Sequence, residues 1–144
     1  MRVPKMSEAE AMAFIAELPA RTAKVATVLK SGAPHVAPVW VALDGTDVLF
    51  NTGAETIKGR AVRRDPRIAM CFEDDRPPFS FVSLRGTATV TEDPDELLHW
   101  ATIIGGRYMG AERADEYGRR NGVPGELLVK LRPTKVVTDL NVTG

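Results

Sequence analysis

The sequence predicts a mainly β fold, a small antiparallel barrel with helices at its periphery, on three observations. Six or seven short stretches are rich in β-branched and aromatic residues. Turn dipeptides and prolines separate them at hairpin spacing, and helical periodicity is confined to a few short segments. At 144 residues the chain can bury a core without staples, and a single domain over 1–144 is expected.

Residues 1–5 are expected to be loose. Ser7-Glu8-Ala9-Glu10 reads as a capping box opening a helix, with Ala11, Phe14, Ile15 and Leu18 on one face and Pro19 as its stop. Thr22–Leu29 is the first strand and Lys30-Ser-Gly-Ala33 a hairpin. Pro34–Leu43 is the second strand. Its prolines at 34 and 38 cannot donate to a ladder, which marks an edge or a bulge. Asp44-Gly45 turns into a third strand, Asp47–Thr52, completing an expected three-stranded meander. Arg67–Glu73 follows as a strand with Ile68, Met70 and Phe72 on one face. Phe79–Val90 is a long strand, interrupted or curved near Arg85-Gly86. Asp93-Pro94 opens a helix that carries Leu97, Leu98, Ala101 and Ile104 and is weakened by Gly105-Gly106. Residues 111–120 form a short charged helix. Glu126–Arg132 and Thr134–Leu140 are the last strands, divided by Pro133.

Composition excludes several functions. Lysine and arginine number 19, as do aspartate and glutamate, so no global field draws the chain to nucleic acid or to a membrane surface. No apolar run reaches the ~20 residues of a membrane span, and no secretory signal is visible. One cysteine allows no internal disulfide and suits a reducing, cytoplasmic compartment. His35 and His99 have no ligand-like spacing, so no metal is expected. Cys71, between Met70 and Phe72, reads as a packed residue, and no nucleophile elbow surrounds Ser80 or Ser83.

The stretch from Asn51 to Arg67 says most about chemistry. Asn51 and Thr52 end a strand, Gly53 permits a close turn, and a short helix starts near Glu55 or Thr56 and ends before Asp65-Pro66. Lys58, Arg60, Arg63, Arg64 and Arg67 place five cations in this turn-helix-turn. Backbone N–H groups at a helix start, with hydroxyls and cations beside them, suit a phosphate. The competing reading is a solvated basic face. An anion site without visible acid–base machinery points to a cofactor that carries the reactive atoms. A barrel this small fills its own interior, so the ligand is expected outside it or between subunits.

On Ala23–Trp40, on Val48–Arg67 with Lys58-Gly-Arg60 and Arg63-Arg-Asp-Pro-Arg67, and on Leu84-Arg-Gly-Thr-Ala88, the chain resembles the flavin/deazaflavin oxidoreductase superfamily. This is the pyridoxamine 5′-phosphate oxidase-like, FMN-binding split β-barrel, and the resemblance runs from Ser7 to Leu140. The Arg-Arg-Asp-Pro-Arg segment resembles the actinobacterial branch that uses coenzyme F420. The resemblance implies a homodimer with cofactor sites at the subunit interface. It implies a ring lying against Pro38, Val39 and Trp40, with Asn51 and Thr52 near its polar edge. Lys58 matches the family's phosphate-binding lysine, Arg60 follows at the family's spacing, and Thr56 stands where relatives can carry a basic residue. Arg63 and Arg64 either face the cofactor tail or are surface charges. Phe79 aligns with an aromatic that covers the ring from the other subunit. The implied activity is deazaflavin-dependent reduction of a small unsaturated acceptor such as an enone, quinone or tetrapyrrole. FMN is the alternative cofactor, and a non-catalytic carrier is the alternative class. The Arg-x-His motif of true pyridoxamine phosphate oxidases is missing from Val137–Gly144, so oxidation of vitamin B6 phosphates is not expected.

Overall fold

The structure is a computed structural model that describes residues 5–143; residues 1–4, part of the stretch expected to be loose, lie outside them. Seven antiparallel strands form one sheet: β1 (Ala23–Val28), β2 (Pro34–Val39), β3 (Ala42–Asp44), β4 (Asp47–Gly53), β5 (Arg67–Glu73), β6 (Phe81–Thr91) and β7 (Glu126–Asp139). Their order is β2-β1-β5-β6-β7-β4-β3. The two edge strands, β2 and β3, are consecutive in the chain and joined only through Trp40-Val41. Three residues reach at most about 11 Å, so the sheet must curl until its edges lie side by side without pairing. This is the mainly β, antiparallel barrel with peripheral helices that the sequence predicts.

The four helices are α1 (Glu8–Ala16), α2 (Ile57–Arg64), α3 (Pro94–Met109) and α4 (Ala114–Asn121). The capping box of α1 forms as expected: Ser7 Oγ accepts from Glu10 N at 3.1 Å and Glu10 Oε1 accepts from Ser7 N at 3.0 Å. Helix α1 ends at Ala16, before Pro19. Asp93 caps α3 through Glu96 N at 2.9 Å. Helix α3 runs through Gly105-Gly106, because a side chain at 105 would press on Tyr117 Cβ of α4, so the glycine permits close packing of the two helices.

Alternation sets the core. Ile68, Met70 and Phe72 of β5 are buried with Val25, Phe50, Val82, Leu84, Val129 and Leu131. On the other side of β4, Leu49 packs with Leu97 of α3, Leu128 and Trp100.

Three expectations need correction. The second strand breaks at Trp40-Val41 into β2 and β3, because Tyr108 of α3 captures the junction: its ring stacks on Trp40 (5.2 Å, 5°) and its hydroxyl accepts from Val41 N at 3.0 Å. The expected meander is therefore not contiguous, and β4 pairs with β3 and β7 instead of with β2. Pro133 does not divide the last strand. A register shift at Arg85/Gly86 sets Arg85 opposite Lys135 and Gly86 opposite Pro133, and the bulge absorbs the proline.

Candidate functional site

The start of α2 is built by threonines. Thr56 is the N-cap: its hydroxyl oxygen accepts from Gly59 N at 3.0 Å and donates to Gly53 O at 2.8 Å. Its proton thus engaged, it also accepts from the hydroxyl of the buried Thr52, 3.1 Å away. The Thr56 hydroxyl is fully committed to the cap. The first helical hydrogen bond is Arg60 N to Thr56 O. This leaves the Ile57 and Lys58 backbone N–H groups without a partner among the described residues. They are the donors from which an anion seat is made.

The five cations divide sharply. Arg60 pairs with Glu55 at 3.2 Å, Arg63 with Glu92 at 3.0 Å and Arg67 with Asp65 at 2.6 Å. Arg64 donates to Val28 O at 2.7 Å, tying the end of α2 to β1. Seven residues of helix separate Arg64 from Ile57, roughly 10 Å along the axis, so Arg64 stands at the far end of α2 from the seat. Lys58, half-buried, is the one cation of the five with neither ion pair nor hydrogen bond among the described residues. The surplus of positive charge that the sequence suggested is largely consumed within the fold.

Asn51 and Thr52 leave β4 on opposite faces. Thr52 points inward with Val48 and Phe50. Asn51 faces the helical layer, where its amide donates to Asn121 O and Glu126 Oε1, both at 3.2 Å. Glu126 lies beside Gly53 across the β4–β7 ladder. Burial pushes its carboxyl above the usual range, while the Asn51 bond and nearby Lys58 pull it back. Sequence reasoning missed Glu126 because it stands 75 residues from Asn51, and only the pairing of β4 with β7 brings them together.

Pro38 and Val39 end β2 beside Lys24 and Ala23, and Trp40 follows them. Phe79 sits in the loop before β6 with φ 62°, 39% exposed, near the same end of the sheet. Along β1, Lys24 opposite Pro38 and Val28 under Arg64 are four residues apart, roughly 13 Å of strand. Pro38 and Arg64 therefore do not meet within one protomer. Trp40 has one ring face taken by Tyr108 and an edge contact to Tyr117 at 5.8 Å. Cys71 is half-buried on the outer sheet face, and burial raises its thiol. Among the described residues no cluster of His, Cys, Asp and Glu is placed to hold a metal, and no helix is long and apolar enough to cross a membrane.

The family model described as pyridoxamine 5′-phosphate oxidase matches residues 7–138. No curated relative matches the chain. Among solved structures, the conserved hypothetical protein Rv2991 from Mycobacterium tuberculosis is 27% identical, over 95% of this chain and 86% of that one, with a TM-score of 0.81. A protein named F420 reductase is 26% identical over 94% of this chain and 98% of its own, with a TM-score of 0.66. HutZ, a heme storage protein from Vibrio cholerae, shares the fold at 17% identity, over 98% and 97% of the two chains, with a TM-score of 0.72.

Proposed function

We propose, from the premise that the chain belongs to the pyridoxamine 5′-phosphate oxidase family, that it is an oxidoreductase dependent on the deazaflavin coenzyme F420. The observation that carries this reading is the start of α2: two backbone N–H groups and the Lys58 side chain, which is alone in this among the cations of its stretch, are all three without a partner among the described residues. That seat fits a single phosphate. The likeness to a protein named F420 reductase, over nearly the full length of both chains, supports the deazaflavin over FMN. FMN is the second reading, favoured by the family itself.

In this reading the residues around the start of α2 would hold a deazaflavin, which when bound would supply hydride-transfer chemistry toward an electron-poor unsaturated acceptor. Lys58 and the Ile57 and Lys58 N–H groups hold the phosphate. Asn51 has both amide protons engaged, so it offers the ring edge only its carbonyl oxygen. Pro38 and Trp40 form one wall for the ring, while the Val39 side chain turns into the core. Thr52 and Thr56 shape the seat by capping α2, and Arg60, paired with Glu55, borders it. Arg64 anchors the far end of α2.

A homodimer completes the site. The outer face of β2, β1, β5 and β6 runs in cross-strand rows, Pro38-Lys24-Cys71-Ser83 and Val36-Ala26-Ala69-Arg85, with Val36 65% exposed. Its apolar side chains, interspersed with Lys24 and Arg85, offer a face for a second copy of the chain. That copy would bring its Phe79 to the ring of the first.

Titration of purified apoprotein with coenzyme F420 and with FMN, followed by oxidation of the reduced deazaflavin against an acceptor panel, tests the proposal. Saturable deazaflavin binding with acceptor-dependent oxidation is expected. Tight FMN binding with negligible deazaflavin affinity would transfer the assignment to FMN, and deazaflavin binding without turnover would make the protein a carrier.

A further inference from the structure

The seat at the start of α2 is faced by an acid. Glu126 Oε1 accepts from Asn51, and Glu126 Oε2 lies 3.2 Å from the point above Gly53 where a Cβ would stand. Thr56 Cγ2, on the cap of α2, lies 3.2 Å from that same point. Carboxylate and cap are thus no more than about 6 Å apart, and Lys58 attracts the carboxylate. Glu55, the residue before the cap, is engaged with Arg60. The charges around the seat therefore cancel: Lys58 and Arg60 against Glu55 and Glu126.

An incoming anion with one charge meets Lys58 and the two free N–H groups. A second charge on the same phosphorus finds no further unpaired cation and faces a half-buried carboxylate. A phosphodiester carries one negative charge, whereas a phosphomonoester carries nearly two at neutral pH.

We propose that Glu126 is a charge-selecting residue that makes this seat favour cofactors with a phosphodiester handle over those with a phosphomonoester. The proposal rests on the reading of the α2 start as the cofactor's phosphate seat, and deepens it. The diester class includes coenzyme F420, and the monoester class includes FMN. With the roughly 6 Å between carboxylate and cap taken as the scale of charge separation, each unit-charge repulsion in a partly screened site is worth roughly tenfold in affinity. Glu126→Gln removes the charge and keeps the Asn51 bond, since the glutamine carbonyl still accepts.

The test is equilibrium titration, near neutral pH, of wild type, Glu126→Gln, Glu126→Asp and Lys58→Ala with coenzyme F420 and with FMN. Glu126→Gln is expected to tighten the deazaflavin roughly tenfold and FMN by more, approaching roughly a hundredfold, so that the FMN-to-deazaflavin affinity ratio rises roughly tenfold. Glu126→Asp, which keeps the charge, is expected to hold the wild-type preference. An unchanged FMN-to-deazaflavin ratio in Glu126→Gln, with both ligands weakened by Lys58→Ala, overturns the role of Glu126 and leaves the seat standing. Affinities for both ligands that ignore Lys58→Ala overturn the seat, and the role of Glu126 with it. A preference abolished by Glu126→Asp as fully as by Glu126→Gln overturns selection by charge.

Discussion

At the scale of single residues, Lys58 and Asp65 do opposite work with similar chemistry. Lys58 is left unpaired, so it is available to a ligand. Lys58→Ala is expected to cost about 1.5–3 kcal/mol of deazaflavin affinity, the range of a charged hydrogen bond, with the fold intact. A titration that gives wild-type affinity would put the phosphate elsewhere. Asp65, by contrast, engages a cation of the basic stretch, Arg67, at the surface. Hydrogen bonds from the Arg67 side chain and backbone pull its carboxyl from 3.8 down to about 2. A depressed carboxyl contributes stability above its usual value and loses it as pH falls through the folded one. The stability gap between wild type and Asp65→Asn should therefore be constant near neutrality and close as pH falls from about 4 through about 2. Urea midpoints across that range measure it, and a gap that widens in acid would contradict the assignment. The sequence made five cations visible but not their partners. Asp65 is close to Arg67 in sequence, whereas Glu92 and Val28 reach α2 only through the fold.

At the scale of elements, the close approach of α2 to the end of β4 holds the seat together. A Cβ on Gly59 would collide with the carbonyl oxygen of Gly53 and stand 3.1 Å from Thr56 Oγ1. Alanine is favoured over glycine inside a helix by about 1 kcal/mol. That gain is outweighed here, because the obstacle is backbone and cannot rotate away, and such overpacking costs about 1–3 kcal/mol. Gly59→Ala is expected to lower the thermal midpoint and to weaken cofactor binding as α2 lifts off the strand. A raised midpoint would show that the approach is looser than described. Most elements were legible because their signals are local: the capping box of α1, the alternation of β5, the edge prolines of β2, and the irregularity at Arg85-Gly86, where β6 continues unbroken and the register against β7 shifts. The split between β2 and β3 was not, since nothing near Trp40 announces it. Tyr108, 67 residues beyond Val41, makes the break. The continuity of β7 through Pro133 was hidden for the same reason: the bulge that accommodates the proline is a property of two strands, not one.

At the scale of the whole molecule, the proposed cofactor site draws on a second copy of the chain. The interior is filled by side chains, the cations are mostly paired, and α2 and the Phe79 loop meet different ends of β1. In the proposed dimer, Lys58 of one protomer and Phe79 of its partner serve the same cofactor. Mixed dimers that join a Lys58→Ala chain to a Phe79→Ala chain test this directly, because in a shared site both lesions fall together and the other site is intact. Deazaflavin titration of the purified mixed dimer should give one wild-type-affinity site per dimer, where each parental homodimer gives none. Two weakened sites per mixed dimer, or a protein that stays monomeric at every concentration, would contradict the account.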